Sequence, residues 1–219
     1  MRILLSALLI GSYFFSVGQE NINFQKPSAE IYELANFERV PSVMISPDTE
    51  WMLSVYRPTY KNLNDLNQEE MRLAGLRINP LLNISSGVTY SHRITIKPIA
   101  GKEEMQILGM PDNAQIAHIS FSPDSKHVAF TNTTAKGVEL WVVNVQERQA
   151  KKLSADNLNA NMGNPYTWYK DGQKLLIERL PDNRPALIDG RKDLPKGPIV
   201  SNSTIVQGKF RNCVLIRIC

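Results

Sequence analysis

A short turn of the type Ser-Pro-Asp recurs along this chain, each time between two short segments that read as strands. Two copies are complete, Ser46-Pro47-Asp48-Thr49 and Ser122-Pro123-Asp124-Ser125, and a third, Tyr169-Lys170-Asp171-Gly172, is degenerate. Proline presets φ for a turn, aspartate accepts a hydrogen bond from a nearby backbone N–H, and glycine tolerates positive φ. The repeat therefore predicts three hairpins at corresponding places in three structural units.

The second copy extends into a complete four-stranded unit. Strands are predicted at 116–121, 127–131, 138–145 and 150–153, with polar turns between them. Four antiparallel strands in about 40 residues are typical of one β-propeller blade. The fold class predicted for the whole chain is therefore all-β, a partial β-propeller.

The first unit carries an insertion between its second and third strands, at about residues 57–87. Within it, residues 68–74 favour a short helix, with Asn64 or Asp65 as possible caps and with Gly75 and Pro80 as stop signals. We expect the insertion to project from one face of the blade, where it lines an entrance, meets a partner or covers the ends of strands.

The third unit begins but is not completed before a proline-rich stretch. After Glu178 the chain passes through four prolines that a central strand does not accommodate, Pro181, Pro185, Pro195 and Pro198. About two and a half blades of four antiparallel strands are therefore predicted for residues 19–203. A closed propeller needs at least about four blades, so this number leaves the ring open.

The first eighteen residues have the pattern of a secretory signal peptide. Arg2 supplies the positive charge, residues 3–15 form a short apolar run, and Ser16 and Gly18 stand where a cleavage site needs small residues. We expect an exported protein, periplasmic or secreted, with no stable membrane anchor after cleavage of residues 1–18; a buried strand or an uncleaved anchor is the alternative.

Composition limits the remaining classes of function. The chain is 42% hydrophobic and 21% charged, which favours a packed core over disorder. The net charge of +4 comes from basic residues scattered among nearly as many acids, with no basic stripe of the kind that binds nucleic acid. Both cysteines, Cys213 and Cys219, lie at the C-terminal end, so no disulfide framework is predicted for the body of the chain.

No motif for catalysis, cofactor binding or metal binding stands out in the sequence. It has no Gly-x-Ser-x-Gly pentapeptide, no phosphate-binding glycine-rich loop and no His-Glu-x-x-His. The candidate residues are each interpreted as structural: the histidines as strand residues, the aspartates as turn residues too far apart to share an ion, and the tryptophans as filling between blades. They are His92, His118, His127, Asp48, Asp124, Asp171, Trp51, Trp141 and Trp168. Two glycosylation patterns, at Asn83 and Asn132, are short enough to arise by chance.

Several of these segments together resemble the N-terminal propeller of prolyl-oligopeptidase-family serine peptidases, and within that family the glutamyl endopeptidase branch. The resemblance covers about residues 36–203. Its most specific segment is residues 73–80, Leu-Ala-Gly-Leu-Arg-Ile-Asn-Pro, and it is also carried by residues 119–127, 140–145, 167–168 and 194–198.

That resemblance implies a propeller that restricts which peptides reach a C-terminal α/β-hydrolase domain, where Ser, Asp and His would cleave after glutamate. None of that triad matches a position in this chain, so the prediction is a non-catalytic propeller portion whose partners are a peptide substrate or a hydrolase domain. The composition changes after Ser203, and residues 204–219 are interpreted as an aberrant or out-of-frame tail. The alternatives are a periplasmic propeller that binds proteins, and a fragment that completes a separately encoded hydrolase domain.

Overall fold

The computed structural model describes residues 26–185 and 213–217, and it divides the chain into two units. In the unit of residues 1–37, the described structure includes helix α1 (Ala29–Ala35), all of whose residues are exposed. Among the described residues, no helix has the length and apolar character needed to cross a membrane. The predicted signal peptide, residues 1–18, lies outside the described residues.

The unit of residues 38–219 is built from antiparallel sheets. In chain order it contains β1 (Ser42–Ile45), β2 (Trp51–Tyr56), α2 (Leu63–Leu66), β3 (Met71–Leu73), β4 (Leu76–Asn79), β5 (Ile84–Ser85), β6 (Arg93–Pro98), β7 (Met105–Gln106), β8 (Ile116–Phe121), β9 (His127–Thr134), β10 (Gly137–Asn144), β11 (Gln149–Lys152), β12 (Tyr166–Trp168), β13 (Lys174–Glu178) and β14 (Cys213–Arg217).

Three of the sheets correspond to the predicted blades. Blade 1 has the strand order β1-β2-β6-β7, and blade 2 has β8-β9-β10-β11. Blade 3 has β12-β13-β14, and a fourth small sheet, β3-β4-β5, belongs to the insertion of blade 1. The predicted fold class, all-β with a partial propeller and a short helix in the first-blade insertion, is confirmed.

Blades 1 and 2 pack face to face through an apolar core. Side chains alternate between the two faces of a strand, so every second residue of β9 points to one neighbour. Val128 and Phe130 pack against Leu53 and Ile96 of blade 1, whereas Ala129 belongs to the core shared with blade 3. Both faces of blade 2 are therefore buried, which explains why six of the eight residues are buried in each of β9 and β10.

The outer face of blade 1 is polar at positions where blade 2 is apolar. Ser54 and its cross-strand partner Thr95 correspond to Phe130 and Trp141 of blade 2. Ser54 and Thr95 are nevertheless almost fully buried. Their hydroxyls donate hydrogen bonds to the Glu104 carboxylate, at 2.8 Å and 3.0 Å, which replace the hydrogen bonds to water that burial removes. Blade 1 thus covers its own outer face with the segment that precedes β7.

Blades 2 and 3 meet around a second core, to which the insertion of blade 1 contributes. Ile84 in β5 is 1% exposed and packs with Leu140 of blade 2 and Leu175 and Ile177 of blade 3. Backbone hydrogen bonds join the same place to the segment that leads into blade 3, from Ser85 N to Ala160 O and from Ala160 N to Asn83 O. The insertion therefore connects blade 1 to blade 3.

The helix predicted at residues 68–74 is wrong. The helix α2 lies earlier, at Leu63–Leu66, and Met71–Leu73 is a strand. The Asn62 side chain caps this helix by accepting from the Asp65 amide, and the Asp65 carboxylate accepts in return from the Asn62 amide. Ala74 and Gly75 form a two-residue turn with φ of 46° and 92°, and Leu73 pairs with Leu76 across it. The segment forms a hairpin in spite of its helix propensity. Hydrophobic and polar residues alternate on both sides of the Ala74-Gly75 turn, and this turn accepts positive φ.

Blade 3 receives its third strand from the C-terminal tail. Residues 213–217 form β14, antiparallel to β13, with Lys174 paired to Arg217 and Glu178 to Cys213. The proline-rich stretch beyond Pro185 and the remainder of the tail lie outside the described residues. The proposed aberrant origin of residues 204–219 stays a prediction.

Candidate binding cleft at the insertion end

The blades have two distinguishable ends, and the repeated turns mark one of them. In each turn the aspartate carboxylate accepts a hydrogen bond from the backbone N–H two residues later: Asp48 from Glu50 at 3.1 Å, Asp124 from Lys126 at 3.2 Å and Asp171 from Gln173 at 3.0 Å. Hydrogen bonds from Ser46 and from the Glu50 amide hold the pKa of Asp48 below its ordinary value. The aspartates thus have the turn role that the sequence predicts.

Neighbouring turns also touch one another, which the sequence did not reveal. The Asp48 amide donates to the Ser125 hydroxyl at 3.0 Å, and Gly172 lies so close to the Asp124 carboxyl group that a Cβ there would be 2.4 Å from Asp124 Cγ. Thr49, Ser125 and Gly172 occupy the same turn position and all have positive φ. These contacts join the turns of neighbouring blades. The described residues contain no group of three or more His, Cys, Asp or Glu side chains able to hold a metal.

The opposite end, which carries the insertion, contains a cleft of about 280 Å³. We call it the insertion cleft. It lies between the insertion and blades 1 and 2, and its polar lining includes three cations, two carboxylates, two tyrosines and three amides: Arg39, Lys61, Arg77, Asp65, Glu70, Tyr60, Tyr90, Gln68, Asn79 and Gln115. Apolar contacts come from the base of the insertion, Leu82, Ile84 and Val88. A concave surface of mixed polarity is suited to binding a short polar ligand.

An ion-pair cluster centred on Glu70 holds the insertion hairpin beside this cleft. Glu70 receives hydrogen bonds from Arg72 at 2.8 Å, Arg77 at 2.9 Å and Ser86 at 2.7 Å. The hydrogen bonds from Arg77, Arg72 and Ser86 lower the pKa of Glu70 from 4.5 to about 2. Arg72 and Arg77 are directly paired across the hairpin, so the carboxylate also relieves the repulsion between two like charges.

A smaller cavity of about 140 Å³ adjoins the cleft, with Thr89 lining both. It lies between the first strands of blades 1 and 2, and its polar lining consists of Ser42, Arg57, Thr89, Ser91 and His118. Burial lowers the pKa of His118 below its ordinary value, which favours the neutral imidazole. We call this space the His118 cavity.

The structure keeps the three histidines in separate surroundings. His92 precedes β6, and its amide donates to Tyr56 O at 3.0 Å. His127 begins β9, at the turn end, and its ring stacks on Trp168 with a centroid separation of 6.4 Å. His118 lies in β8, as predicted, and it also lines a cavity that the sequence did not predict.

The tryptophans fill space between blades, as predicted. Trp51 and Trp141 pack against the core of blades 1 and 2, and Trp168 packs against the core of blades 2 and 3. Both asparagines of the glycosylation patterns are buried: Asn83 is 6% exposed and receives a hydrogen bond from Arg184, and Asn132 is 4% exposed and accepts from the Gln115 amide. Neither side chain is accessible to a glycosylating enzyme in this fold.

The described structure is thus a partial β-propeller with a cleft beside the insertion of its first blade. No family model matches the chain. It is 27% identical over 206 residues to a probable chloroplastic glutamyl endopeptidase of Arabidopsis thaliana, and 27% identical over 199 residues to the protein of the same name from Oryza sativa subsp. japonica. These alignments cover 89% and 84% of this chain but 21% of either relative.

Solved structures give lower likenesses. The chain superposes on the acylaminoacyl peptidase of Pyrococcus horikoshii with a TM-score of 0.37 and 16% identity, over 69% of this chain and 19% of that one. A putative TolB from Agrobacterium tumefaciens gives a TM-score of 0.31 and 11% identity, over 65% and 54% of the two chains. The resemblance to the propeller region of prolyl-oligopeptidase-family peptidases, and within that family to the glutamyl endopeptidase branch, is confirmed by the plant relatives. This chain spans about a fifth of their length.

Proposed function

We propose that the blades serve as the N-terminal propeller portion of an exported serine peptidase, limiting which peptides reach an α/β-hydrolase domain and performing no bond cleavage themselves. The observation that carries this proposal is the alignment with glutamyl endopeptidases, which covers most of this chain but only about a fifth of each relative. Cleavage after glutamate would then be the activity of the whole peptidase.

The insertion end supports a role in handling peptides. The insertion cleft and the His118 cavity adjoin at Thr89 and together offer cations, carboxylates, hydroxyls, tyrosines and an apolar base. Such groups pair with the backbone and side chains of an extended peptide without requiring one sequence. The ion-pair cluster around Glu70 and the burial of Ile84 hold the insertion beside the cleft.

Hydrolysis by the purified chain tests the non-catalytic part of the proposal. The chain is incubated with an internally quenched peptide that contains one glutamate, and in parallel with a fluorophosphonate that labels reactive serines. We expect no turnover and no labelling. Turnover that the fluorophosphonate abolishes would show that this chain is itself a serine peptidase.

Binding of peptides of different length tests the gating part. A fluorescein-labelled decapeptide is titrated with the chain, and a folded protein carrying the same decapeptide in a surface loop serves as the competitor. We expect the free decapeptide to compete and the folded protein to fail, because a cleft of about 280 Å³ has room for an extended chain but not for a folded domain. Equal competition by both would contradict gating.

Export is the remaining part of the proposal. Arg2 and the apolar run of residues 3–15 support it, whereas both plant relatives carry the description chloroplastic. Mass spectrometry of the protein recovered from a bacterial periplasm would give the N-terminus. We expect Gln19 as the first residue, and a protein that keeps Met1 in the cytoplasm would refute export.

A further inference from the structure

The interface between blades 2 and 3 contains, at its turn end, a histidine stacked on a tryptophan. His127 begins β9 in blade 2, and Trp168 ends β12 in blade 3. The centroids of the two rings are 6.4 Å apart, and the angle between the ring planes is 29°. The stack therefore joins two blades through a side chain whose charge changes near neutral pH.

The residues on both sides of this stack are held in place by further contacts. The His127 amide donates to the Ser122 hydroxyl at 2.9 Å, and the Trp168 indole N–H donates to Ser120 Oγ at 3.1 Å. The turn of blade 3 also touches the turn of blade 2, as described above for Gly172. Neither ring can therefore move far from the other without breaking one of these contacts.

The same interface has a second polar part, further along β8 and more deeply buried. The strand β8 bulges at His118, whose φ is +49°, and its register with β9 shifts there. The Tyr166 hydroxyl contacts the carbonyl oxygen of His118 and lies 2.9 Å from that of Ala129. Tyr166 is 3% exposed, whereas His127 is only half-buried. The turn end is thus the part of the interface that solvent protons reach most easily.

One ring nitrogen of His127 is buried without a hydrogen-bond partner. Among the described residues, none donates to Nδ1 or accepts from it. The neutral imidazole can carry its proton on Nε2, which leaves a lone pair and no N–H at Nδ1. The charged imidazole carries a proton on both nitrogens, so it would place a buried N–H where nothing accepts it, which is costly. The packing therefore favours the neutral form.

The charged groups of blade 2 near His127 do not reverse this preference. Asp124 and Glu147 attract a positive imidazole, and Lys126 repels it. Burial outweighs the two carboxylates and lowers the pKa of His127 below its ordinary value of 6.5. The neutral histidine is therefore the form that the closed interface holds.

Blade 3 offers His127 little that would stabilise a positive charge. The turn after Trp168 carries Lys170, Asp171 and Lys174, and the Asp171 carboxylate is paired with Lys174 at 3.0 Å. Lys170 has the same sign as a charged imidazole. The indole itself adds little, because cation–π attraction is significant only within about 6 Å of the ring centroid and the stack is wider than that.

We propose that the stack of His127 on Trp168 is an acid-sensitive latch between blades 2 and 3, closed while the imidazole is neutral and released when it takes up a proton from solvent. Because the pKa of His127 is lowered in the folded state, its contribution to stability is complete above pH 6.5 and is lost as the pH falls below that value. The turn end of blade 3 then separates from blade 2 in mild acid.

Native-state hydrogen exchange of the purified chain, compared between about pH 7.5 and about pH 5 and corrected for the intrinsic exchange rates, tests the latch. The reference is His127→Gln, which does not titrate in this range. We expect amides of β12 and β13 to lose on the order of tenfold more protection in acid in the unmodified chain than in His127→Gln.

Two further substitutions show whether the effect belongs to the stack. Trp168→Ala uncovers the imidazole, so the additional loss in acid should disappear, although protection falls at every pH because Trp168 also packs against the core of blades 2 and 3. His92→Gln is the matched control, since His92 is an exposed histidine outside this interface. That variant should lose as much protection in acid as the unmodified chain.

The proposal is overturned if His127→Gln loses as much protection of β12 and β13 in acid as the unmodified chain. Full acid dependence in a folded Trp168→Ala, or its disappearance in His92→Gln, would overturn it as well. His127→Gln keeps the test decisive if Trp168→Ala does not fold. Neither a peptide nor a hydrolase domain enters the measurement, so its outcome is independent of the proposed function.

Discussion

The two interfaces between neighbouring blades are built in different ways. Blades 1 and 2 meet directly, with Leu53 and Ile96 facing Val128 and Phe130 in an apolar core. Blades 2 and 3 meet through additional pieces, since Ile84 comes from the insertion of blade 1 and Tyr166 forms polar contacts with the backbone of blade 2. Two complete sheets pack through their own side chains, supplemented by backbone bridges from Ser91 to Ile116 and from Leu108 to Gln149. A sheet with two local strands draws on distant segments of the chain as well.

The largest expected effect is at the direct interface. Phe130 is fully buried and stacks on Trp141 with a centroid separation of 6.3 Å, so Phe130→Ala leaves a cavity that the two sheets cannot close. We expect a loss of about 3–5 kcal/mol in the free energy of unfolding, measured by urea denaturation. Tyr169→Ala, at an exposed aromatic residue, is the control, and an equal loss there would contradict the assignment of the core.

The next effect concerns the piece that the insertion contributes. Ile84→Ala should cost about 2–5 kcal/mol and should speed hydrogen exchange in β12 and β13 more than in β2 and β6. Leu81→Ala, three residues earlier and 60% exposed, should change neither quantity. Unchanged exchange in β13 after Ile84→Ala would mean that the insertion only covers the strand ends.

A polar contribution at the same interface gives a dependence on pH. Burial raises the pKa of Tyr166 above its ordinary value of 10.0, so the neutral phenol is favoured in the folded state. Stability from Tyr166 is therefore complete below pH 10 and decreases as the pH rises through the folded-state pKa. At neutral pH, Tyr166→Phe should cost about 1–3 kcal/mol, because carbonyl oxygens at the bulge lose their donor.

The measurement is the difference in unfolding free energy between the two proteins as a function of pH. We expect this difference to shrink above pH 10, where folding of the tyrosine protein is penalised and that of the phenylalanine protein is not. A difference that stays constant to pH 11.5 would show that the hydroxyl is not buried as described.

The smallest effect distinguishes contacts between turns from the turns themselves. Ser125 and Thr49 occupy the same turn position with φ of 61° in both, but only the Ser125 hydroxyl is within hydrogen-bond distance of the Asp48 amide among the described contacts. Ser125→Ala should therefore cost about 0.5–1.5 kcal/mol and Thr49→Ala close to nothing. Thermal unfolding of the two variants gives the comparison, and equal losses would show that the lateral contact contributes no stability.

The parts of the fold that follow local rules were predictable from the sequence. The Ser-Pro-Asp turns and the alternation in β9 and β10 fixed the hairpins, the strand order within blade 2 and the placement of the tryptophans, because each depends on residues close together in the chain. The hairpin at Ala74-Gly75 also had a local signal, the mirror-symmetric alternation on its two sides, which helix propensity concealed.

The candidate site was less predictable, since it depends on contacts between distant segments. The left-handed φ of His118 results from Tyr166, which lies 48 residues later, and the position of Ile84 results from pairing with Ala160. Neither residue has a distinctive sequence motif of its own. The addition of β14 to blade 3 likewise depends on pairing between β13 and β14, which are separated by residues 179–212 in the chain. No local turn signal predicts this pairing.

Native-state hydrogen exchange at increasing denaturant tests most directly whether the insertion joins the three blades into one unit. The free energies of opening for amides in β2, β9 and β13 should converge on one value in the unmodified chain, and Ile84→Ala should separate β13 from the other two. If β13 opens at a lower free energy than β2 and β9 already in the unmodified chain, and Ile84→Ala leaves that difference unchanged, blade 3 is not held by the insertion and the account of the fold is contradicted.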